Sequence, residues 1–291
     1  MHRAGRLSDG QVVDGCVRCP YHGWTYSPDG EVVAVPAEGD RSVSLPGRRT
    51  VAYPTVQADG YVYACLSHTP ATATPFAMPC SGAPGYATVR LQNRFRGGVT
   101  DCVENFIDVP HTVSVHPGIF RVPRRQEVTA TITRRDGGVE VVYEGETDNL
   151  GWFRRFLNPD GHPIGHTDRF VMPNVTSVEY TFGPRRHLFI TSQSVPVSPV
   201  ETLVYTDLTF DYGPLTRLAR PLIRWQGQKV IDQDVAILGR QREVLERYGR
   251  SFHNTPADAI HVMVESIRAA IAKGRDPREL PERTRTVRMW V

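Results

Sequence analysis

The chain has 291 residues, a net charge of +3, a hydrophobic fraction of 40% and a charged fraction of 22%, which are values typical of a globular protein of one or two domains. Its basic residues are scattered and no run approaches the roughly 18 apolar residues of a membrane helix, so neither nucleic acid nor membrane is an expected partner. The five cysteines are an odd number and no export leader is recognisable, which predicts a cytoplasmic protein without a disulfide framework.

Short strand-like runs separated by glycine turns occupy the first sixty residues and predict a small β module. Within them the segment CPYHGW carries Cys19 and His22 at a C-x-x-H spacing. This spacing allows a thiolate and an imidazole to face one metal centre. Taken alone, the pair is as consistent with a zinc knuckle or an ordinary loop as with an iron–sulfur site.

The longer segment HRAGRLSDGQVVDGCVRCPYHGWTYSPDGE resembles the Rieske iron–sulfur module of ring-hydroxylating and related oxygenases. That family has the pattern C-x-H-R-x-A-x-L, followed by C-P-x-H-G-W-x-(F/Y). The resemblance implies that Cys19 is a thiolate ligand of one iron of a [2Fe-2S] cluster and that His2 and His22 are the imidazole ligands of the other. The family's first cysteine would fall one position before Met1. The module is therefore expected to be N-terminally incomplete, either through a start assigned too late or through a true truncation.

A stretch rich in Pro, Ala, Thr and Ser from Ser67 to Pro84 has the composition of a linker. The sequence thus predicts three parts. They are residues 1–70 as the β module, residues 71–88 as the linker and residues 89–291 as a larger catalytic domain.

A second histidine pair, His111 and His116, follows a short helix predicted near residues 100–109, and Pro110 ends that helix. Two imidazoles with a carboxylate from elsewhere in the chain form the facial site that binds non-haem iron(II). By itself a histidine pair beside a proline is more often structural. However, ENFIDVPHTVSVHPG resembles the catalytic-domain signature of the same oxygenases, which implies that both histidines bind a mononuclear iron.

The same resemblance assigns roles to three neighbouring residues. Asp108 occupies the position that links an iron-bound histidine to a cluster-bound histidine of another subunit, which implies a homotrimer. A carboxylate that accepts the free N–H of both rings would fix their tautomers and shorten the electron path. The alternative for Asp108 is a solvent-exposed acid at a helix end. Glu104 and Asn105 are expected to support the site without binding iron.

Strands are predicted to dominate from Glu127 to Tyr212, with hairpin turns at Asp136 and at Gly183. A long helix is predicted from about Leu215 to Tyr248, and another from about Pro256 to Lys273, with a basic tail after it. The family counterpart is a helix-grip (START-like) domain. The predicted fold class is therefore α+β, a small all-β Rieske module followed by a catalytic domain with a curved antiparallel sheet and a long C-terminal helix.

The curved sheet is expected to enclose a ligand cavity. Its candidate wall residues are aromatic side chains and one methionine: Phe106, Phe120, Met172, Tyr180 and Phe189. Three histidines have no recognisable motif around them and are expected at the surface or in turns: His162, His166 and His187.

Two acids, Asp232 and Asp234, lie within the long predicted helix. From helical periodicity alone, such acids usually face solvent. The segment D-Q-D-V-x-I-L-x-x-Q resembles the family segment whose second acid is the third iron ligand. The resemblance implies Asp234 as that ligand, with Asp232 as the second candidate.

Together these segments imply the terminal oxygenase (alpha) subunit of a Rieske non-haem iron system, with O2 as co-substrate. A separate reductase or ferredoxin would supply electrons, because no dinucleotide fingerprint is present. The expected reaction is hydroxylation or oxidative demethylation of a small aromatic or alicyclic substrate. A non-catalytic ligand-binding protein on the same fold is the alternative if the cluster is incomplete. A zinc hydrolase is a weaker alternative because it leaves CPYHGW unexplained.

Overall fold

The chain forms two compact units in a computed structural model that describes residues 2–39, 47–66, 74–117, 126–147 and 158–291. The units are Met1–Pro75 and Phe76–Val291. Each has its own apolar core, as independently folding units require. Among the described residues, no helix has the length and apolar character needed to span a membrane.

The first unit consists of short strands joined by tight turns. An antiparallel sheet contains β1 (Gln11–Val13), β2 (Cys16–Arg18), β3 (Thr25–Tyr26) and β4 (Val32–Ala34) in chain order. A separate hairpin pairs β5 (Thr55–Ala58) with β6 (Tyr61–Ala64). The buried apolar core of this unit is small and is formed by Tyr26, Val32 and Val35.

An eight-stranded antiparallel sheet organises the second unit. Its strands are β7 (Ala87–Phe95), β8 (Glu127–Arg135), β9 (Gly138–Glu144), β10 (Ile164–Val171), β11 (Val175–Phe182), β12 (His187–Ser198), β13 (Glu201–Asp211) and β14 (Arg283–Trp290). The order across the sheet is β14-β8-β9-β10-β11-β12-β13-β7. Consecutive hairpins therefore build the middle of the sheet, and the strands from the two ends of the unit form its edges.

Within the described residues, four α-helices accompany this sheet: α1 (Val99–Ile107), α2 (Thr112–Val115), α3 (Thr216–Tyr248) and α4 (Ala259–Ala272). One apolar core packs α4 against β8, β9 and β14, and a second packs α3 against β7, β12 and β13. Helix α3 approaches the sheet closely at Gly227, where an added Cβ would overlap the Leu208 side chain. A larger residue at this position would therefore require the end of the Leu208 side chain to move.

The predicted α+β class and the order of its elements are confirmed. The hairpin turns at Asp136 and Gly183 and the helices α1, α3 and α4 form where the sequence predicts them. The basic tail predicted after residue 273 is wrong, since it contains β14, which pairs along its length with β8. Val287 and Met289 of β14 face the core, whereas its arginines and threonines face solvent. The exposed arginines give this segment the composition of a basic tail, although it forms a strand whose other face is buried.

Candidate functional site

The two histidines of the central segment flank a single short helix. His111 immediately precedes α2 and His116 immediately follows it. Pro110 cannot donate a backbone hydrogen bond, so α1 ends before it and the chain turns into α2. Helix α3 packs beside α2 and presents Asp234, whose side chain is buried, to both rings.

Three donor atoms converge at this point. His111 Nε2 lies 3.3 Å from His116 Nε2, and Asp234 Oδ1 lies 3.1 Å from His116 Nε2 and 3.5 Å from His111 Nε2. His116 is 1% exposed and Asp234 is 3% exposed. Two ligands bound at right angles to one ion, each about 2.1 Å from it, are about 3 Å apart. The observed triangle has edges of that size.

The outer hydrogen bonds of the rings leave both Nε2 lone pairs facing the carboxylate. His116 Nδ1 lies 2.9 Å from Gln233 Oε1, and His111 Nδ1 is bonded to the backbone carbonyl of Asp108. Both partners are acceptors, so each Nδ1 carries the proton. Asp234 Oδ1 accepts no hydrogen bond from any described residue. Two imidazole nitrogens and one carboxylate oxygen that face one point fit a divalent ion of the two-histidine, one-carboxylate class.

The same contacts shift the pKa values of His111 and Asp234. Burial lowers the pKa of His111, but Asp234 and Asp108 more than offset it, so the net pKa is raised. Burial raises the pKa of Asp234, but the two imidazoles outweigh it and the net pKa is lowered. Without an ion, a proton on His111 can therefore take the position between the ring and the carboxylate.

The structure separates the two candidate acids of α3. Asp232 is exposed on the outside of the helix, where Gln228 Nε2 donates to its carboxylate at 2.8 Å. Asp234 is on the buried face two residues further on. Of the two acids, the structure brings Asp234 to the histidine pair.

The three residues expected to support the site lie around it in different ways. The carboxylate of Asp108 is 3.7 Å from His111 Nδ1, while its backbone carbonyl is the nearer partner. Asn105 lines the cavity beside the centre, and its Nδ2 has no hydrogen-bond partner among the described residues. Glu104 lines a second cavity that also contains Asp108. Burial raises the pKa of the Glu104 carboxyl to about 8.

The candidate cluster residues lie at one end of the first unit. Cys19 and His22 belong to the turn between β2 and β3, which is closed by hydrogen bonds from the Cys19 amide to the Trp24 carbonyl and from the Gly23 amide to the Cys19 carbonyl. The His2 and His22 rings are 5.0 Å apart, and His2 stacks on Trp24 at 4.2 Å. Both imidazoles are exposed. A Rieske cluster is held by two thiolates and two imidazoles, and Cys19, His2 and His22 supply three of these four donors.

A cavity lies beside the three-donor centre. Its empty volume, which includes open solvent at the mouth, is about 720 Å³. Nine of its 20 described lining residues are apolar or aromatic: Phe106, Ile107, Val109, Val178, Tyr180, Ile190, Leu208, Val230 and Ile231. Of the predicted wall residues, Phe106 and Tyr180 line this cavity. Phe120 falls outside the described residues, Met172 packs against the α4 core, and Phe189 contacts Tyr86 and His187.

The polar part of the wall was missed by sequence reasoning. His166 and Asp168 of β10 both line the cavity and are 2% and 1% exposed, so the prediction of a surface position for His166 is wrong. The signal that could have found them is the alternation of His166, Asp168 and Phe170, which places all three on the inner face of one strand. Gln233, which orients His116, was also missed.

Comparison with known proteins agrees with this architecture. The sequence profile of the Rieske [2Fe-2S] domain matches residues 1–54, and that of the Vanillate O-demethylase oxygenase C-terminal domain matches residues 100–274. Chlorophyllide a oxygenase of Oryza sativa subsp. japonica is 30% identical over 94% of this chain and 49% of that protein. The oxygenase component of dicamba O-demethylase from Stenotrophomonas maltophilia is 34% identical over 56% of this chain and 48% of that protein. The chain spans about half the length of these curated relatives.

Solved structures share the fold. Pseudomonas putida CBB5 NdmA with caffeine has a TM-score of 0.76 at 19% identity, covering 95% of this chain and 79% of that chain. Dicamba monooxygenase bound to dicamba has a TM-score of 0.75 at 21% identity, covering 92% and 84%. The family resemblance predicted from the sequence is confirmed, and the chain belongs to the Rieske non-haem iron oxygenases whose catalytic domain is of the vanillate O-demethylase type.

Proposed function

We propose that this chain is a terminal oxygenase component that uses O2 to hydroxylate or oxidatively demethylate a small organic substrate at a mononuclear iron. The observation that carries the proposal is the convergence of His111 Nε2, His116 Nε2 and Asp234 Oδ1 within 3.5 Å of one another. A facial set of three protein ligands leaves the remaining positions of an iron(II) ion free for O2 activation, which is the chemistry that iron would supply when bound.

The chain's own residues prepare this centre. Gln233 and the Asp108 carbonyl hold the two imidazoles in the tautomer that directs Nε2 inwards. The apolar side chains around the cavity exclude water from the reacting substrate and provide most of its binding surface. Asn105 Nδ2 is a further hydrogen-bond donor at the cavity wall.

A small substrate is supported by the cavity and by the relatives. The apolar and aromatic part of the cavity wall suits a small organic molecule. Among the relatives, one is named a dicamba O-demethylase and another an aminopyrrolnitrin oxygenase, and one solved structure contains caffeine. Demethylation or monohydroxylation of an aromatic or alicyclic compound is accordingly the reaction class we assign.

Electrons are supplied by a separate reductase or ferredoxin. His2, Cys19 and His22 are the residues that would hold the [2Fe-2S] cluster, which accepts one electron at a time when bound. Asp108, whose carboxylate is 3.7 Å from His111, links this centre to a cluster-bound histidine of a neighbouring subunit in a homotrimer. We place this reaction in the cytoplasm, where a reductase or ferredoxin would be available.

The experiment compares iron content and turnover in two matched variants. Asp234→Asn removes the carboxylate ligand, whereas Asp232→Asn makes the same chemical change at the exposed acid two residues away. With a ferredoxin and its reductase, the wild-type protein should consume O2 and release formaldehyde from aryl methyl ethers. Asp234→Asn should lose the mononuclear iron and this turnover, and Asp232→Asn should retain both.

Two outcomes contradict the proposal. Full iron content in Asp234→Asn would remove Asp234 from the ligand set. A ligand-binding protein without oxygenase activity would bind the same ethers in both variants and would consume no O2 even when its iron and its electron donor are supplied.

A further inference from the structure

The inner face of β10 carries a charged group on the cavity wall, separate from the three-donor centre. His166 lies directly opposite Tyr143 of β9 and Tyr180 of β11 in the strand register. Directly opposite side chains in antiparallel strands are close enough to stack. The His166 ring accordingly lies between the two phenol rings, with centroid distances of 4.4 Å to Tyr143 and 4.2 Å to Tyr180.

Both nitrogens of His166 face carboxylates. Nδ1 is 2.7 Å from Glu146 Oε2, and Nε2 is 2.9 Å from Asp168 Oδ1. A carboxylate can only accept, so the ring donates from both nitrogens and is an imidazolium. Burial lowers the pKa of His166, but Asp168 and Glu146 outweigh it and raise the pKa to about 9. Beside the His166 imidazolium, Asp168 therefore brings a carboxylate to the polar part of the cavity wall.

The Asp168 carboxylate is part of the cavity wall. Its Oδ1 is occupied by His166, but its Oδ2 has no hydrogen-bond partner among the described residues, although the side chain is 1% exposed. The Tyr143 hydroxyl lies near Asp168, whose carboxylate adds to the effect of burial in raising the pKa of Tyr143. A buried carboxylate oxygen left without a donor is costly, and a substrate that supplies the donor recovers that cost on binding.

We propose that Asp168 determines substrate specificity, by accepting a hydrogen bond at Oδ2 from an N–H or O–H group of a neutral or cationic substrate and by excluding a carboxylate from this wall. The assignment of this role to the substrate of an oxygenase rests on the function proposed above. The preference in ligand binding does not depend on that function. A site built to accept a substrate hydrogen bond discriminates strongly against analogues that lack the donor. A like charge placed against the wall is repelled for the same reason that two buried carboxylates avoid each other.

The test uses four probes with the same methoxyphenyl body and a different polar group. They are 4-methoxybenzyl alcohol, 4-methoxybenzylamine, 4-methoxytoluene and 4-methoxybenzoate. Dissociation constants are measured by calorimetry on the purified full-length protein, without O2 or reductant. The alcohol and the amine should bind at least tenfold more tightly than the toluene, and the benzoate should bind most weakly.

Variants then assign the preference to Asp168. Asp168→Asn keeps the size of the side chain but removes the charge, so the amine should lose at least tenfold in affinity and the benzoate should gain. Glu179→Gln removes one carboxylate from the outer face of the neighbouring strand and should leave all four affinities unchanged. Tyr143→Phe removes the neighbouring hydroxyl and should preserve the order of the probes.

The proposal is overturned if the wild-type protein binds the toluene or the benzoate as tightly as the alcohol, or if neither donor probe binds. It is also overturned if the order persists in Asp168→Asn, or if Tyr143→Phe abolishes it. Should Asp168→Asn fail to fold by circular dichroism, the wild-type series and Tyr143→Phe still decide. Normal probe preferences without any turnover would refute the oxygenase reaction and leave the specificity intact.

Discussion

Gln233 offers a direct test of how the candidate metal centre is oriented. Replacing it by leucine keeps the approximate size of the side chain but removes the oxygen that lies 2.9 Å from His116 Nδ1. Because the His116 side chain is buried, water cannot replace that acceptor. The ring would then lose the bond that holds its proton on Nδ1 and its lone pair on Nε2.

Two general magnitudes give the same estimate for the loss of Fe(II) affinity in Gln233→Leu. Removal of an outer hydrogen-bond partner of a metal-bound histidine costs roughly 10–100-fold in metal affinity, which corresponds to about 1.4–2.8 kcal/mol. A buried N–H left without an acceptor costs about 1–3 kcal/mol. We therefore expect the dissociation constant for Fe(II) to rise by about 10–100-fold in Gln233→Leu, measured anaerobically by competition with a chelator of known affinity.

Two variants complete this test. Gln233→Glu retains an acceptor for the His116 ring and should hold Fe(II) at least as tightly as the wild-type protein. Gln241→Leu makes the same substitution about two turns further along α3, at an exposed position, and should leave the affinity unchanged. If Gln233→Leu binds Fe(II) as tightly as Gln241→Leu, the hydrogen bond does not orient a metal ligand and the reasoning fails.

Three further predictions concern other parts of the chain. Cys19→Ser should abolish the Rieske absorption spectrum of the purified protein, and a spectrum that survives would exclude Cys19 as a cluster ligand. His111→Ala should lose the mononuclear iron in metal analysis while that spectrum is retained, and iron that remains at full content would argue against the ligand. Folding raises the pKa of His166 from 6.5 to about 9, so its stabilising contribution is complete below pH 6.5 and is lost as the pH rises to about 9. Relative to His166→Gln, the wild-type protein should lose roughly 3 kcal/mol of unfolding free energy over that interval, and equal pH dependence of the two proteins in urea unfolding would contradict this.

Local signals predicted the elements of the second unit well. The turn at Asp136 and Gly137 and the turn at Gly183 mark hairpins because their glycines have positive φ, at 73° and 72°. Helix α1 ends where Pro110 prevents its continuation. These features act within a few residues of one another, so the sequence alone is sufficient to recognise them.

Helical periodicity, as well as the family resemblance, identifies Asp234 as the third donor of the centre. Val230, Asp234 and Leu238 are spaced four residues apart and form one buried stripe of α3. Asp232 lies off that stripe and is exposed. A count along the helix therefore selects Asp234, and the general rule that helical acids face solvent fails here because the two histidines face the same stripe.

Strand β14 could not be predicted from its own segment of the sequence. It pairs with β8, whose partner residues are about 150 positions earlier in the chain. Its outer face carries the arginines and threonines that give the segment the composition of a tail, and the cross-strand contacts of Thr284 and Thr286 with β8 threonines exist only once the strand has docked. Such pairing depends on the assembled sheet rather than on the segment itself.

His166 extends this argument from the fold to the function. The donor atoms of the candidate metal centre come from two short segments, each of which can be recognised on its own. The charged wall opposite needs Tyr143, Glu146, Asp168 and Tyr180 from three adjacent strands and the loop after one of them, and no single segment contains the group. Under the proposals made above, the kind of reaction therefore depends on segments that can be recognised locally, whereas the choice of substrate depends on the register of β9, β10 and β11. A shift of one residue in that register would turn Asp168 to the outer face and remove the acceptor from the cavity.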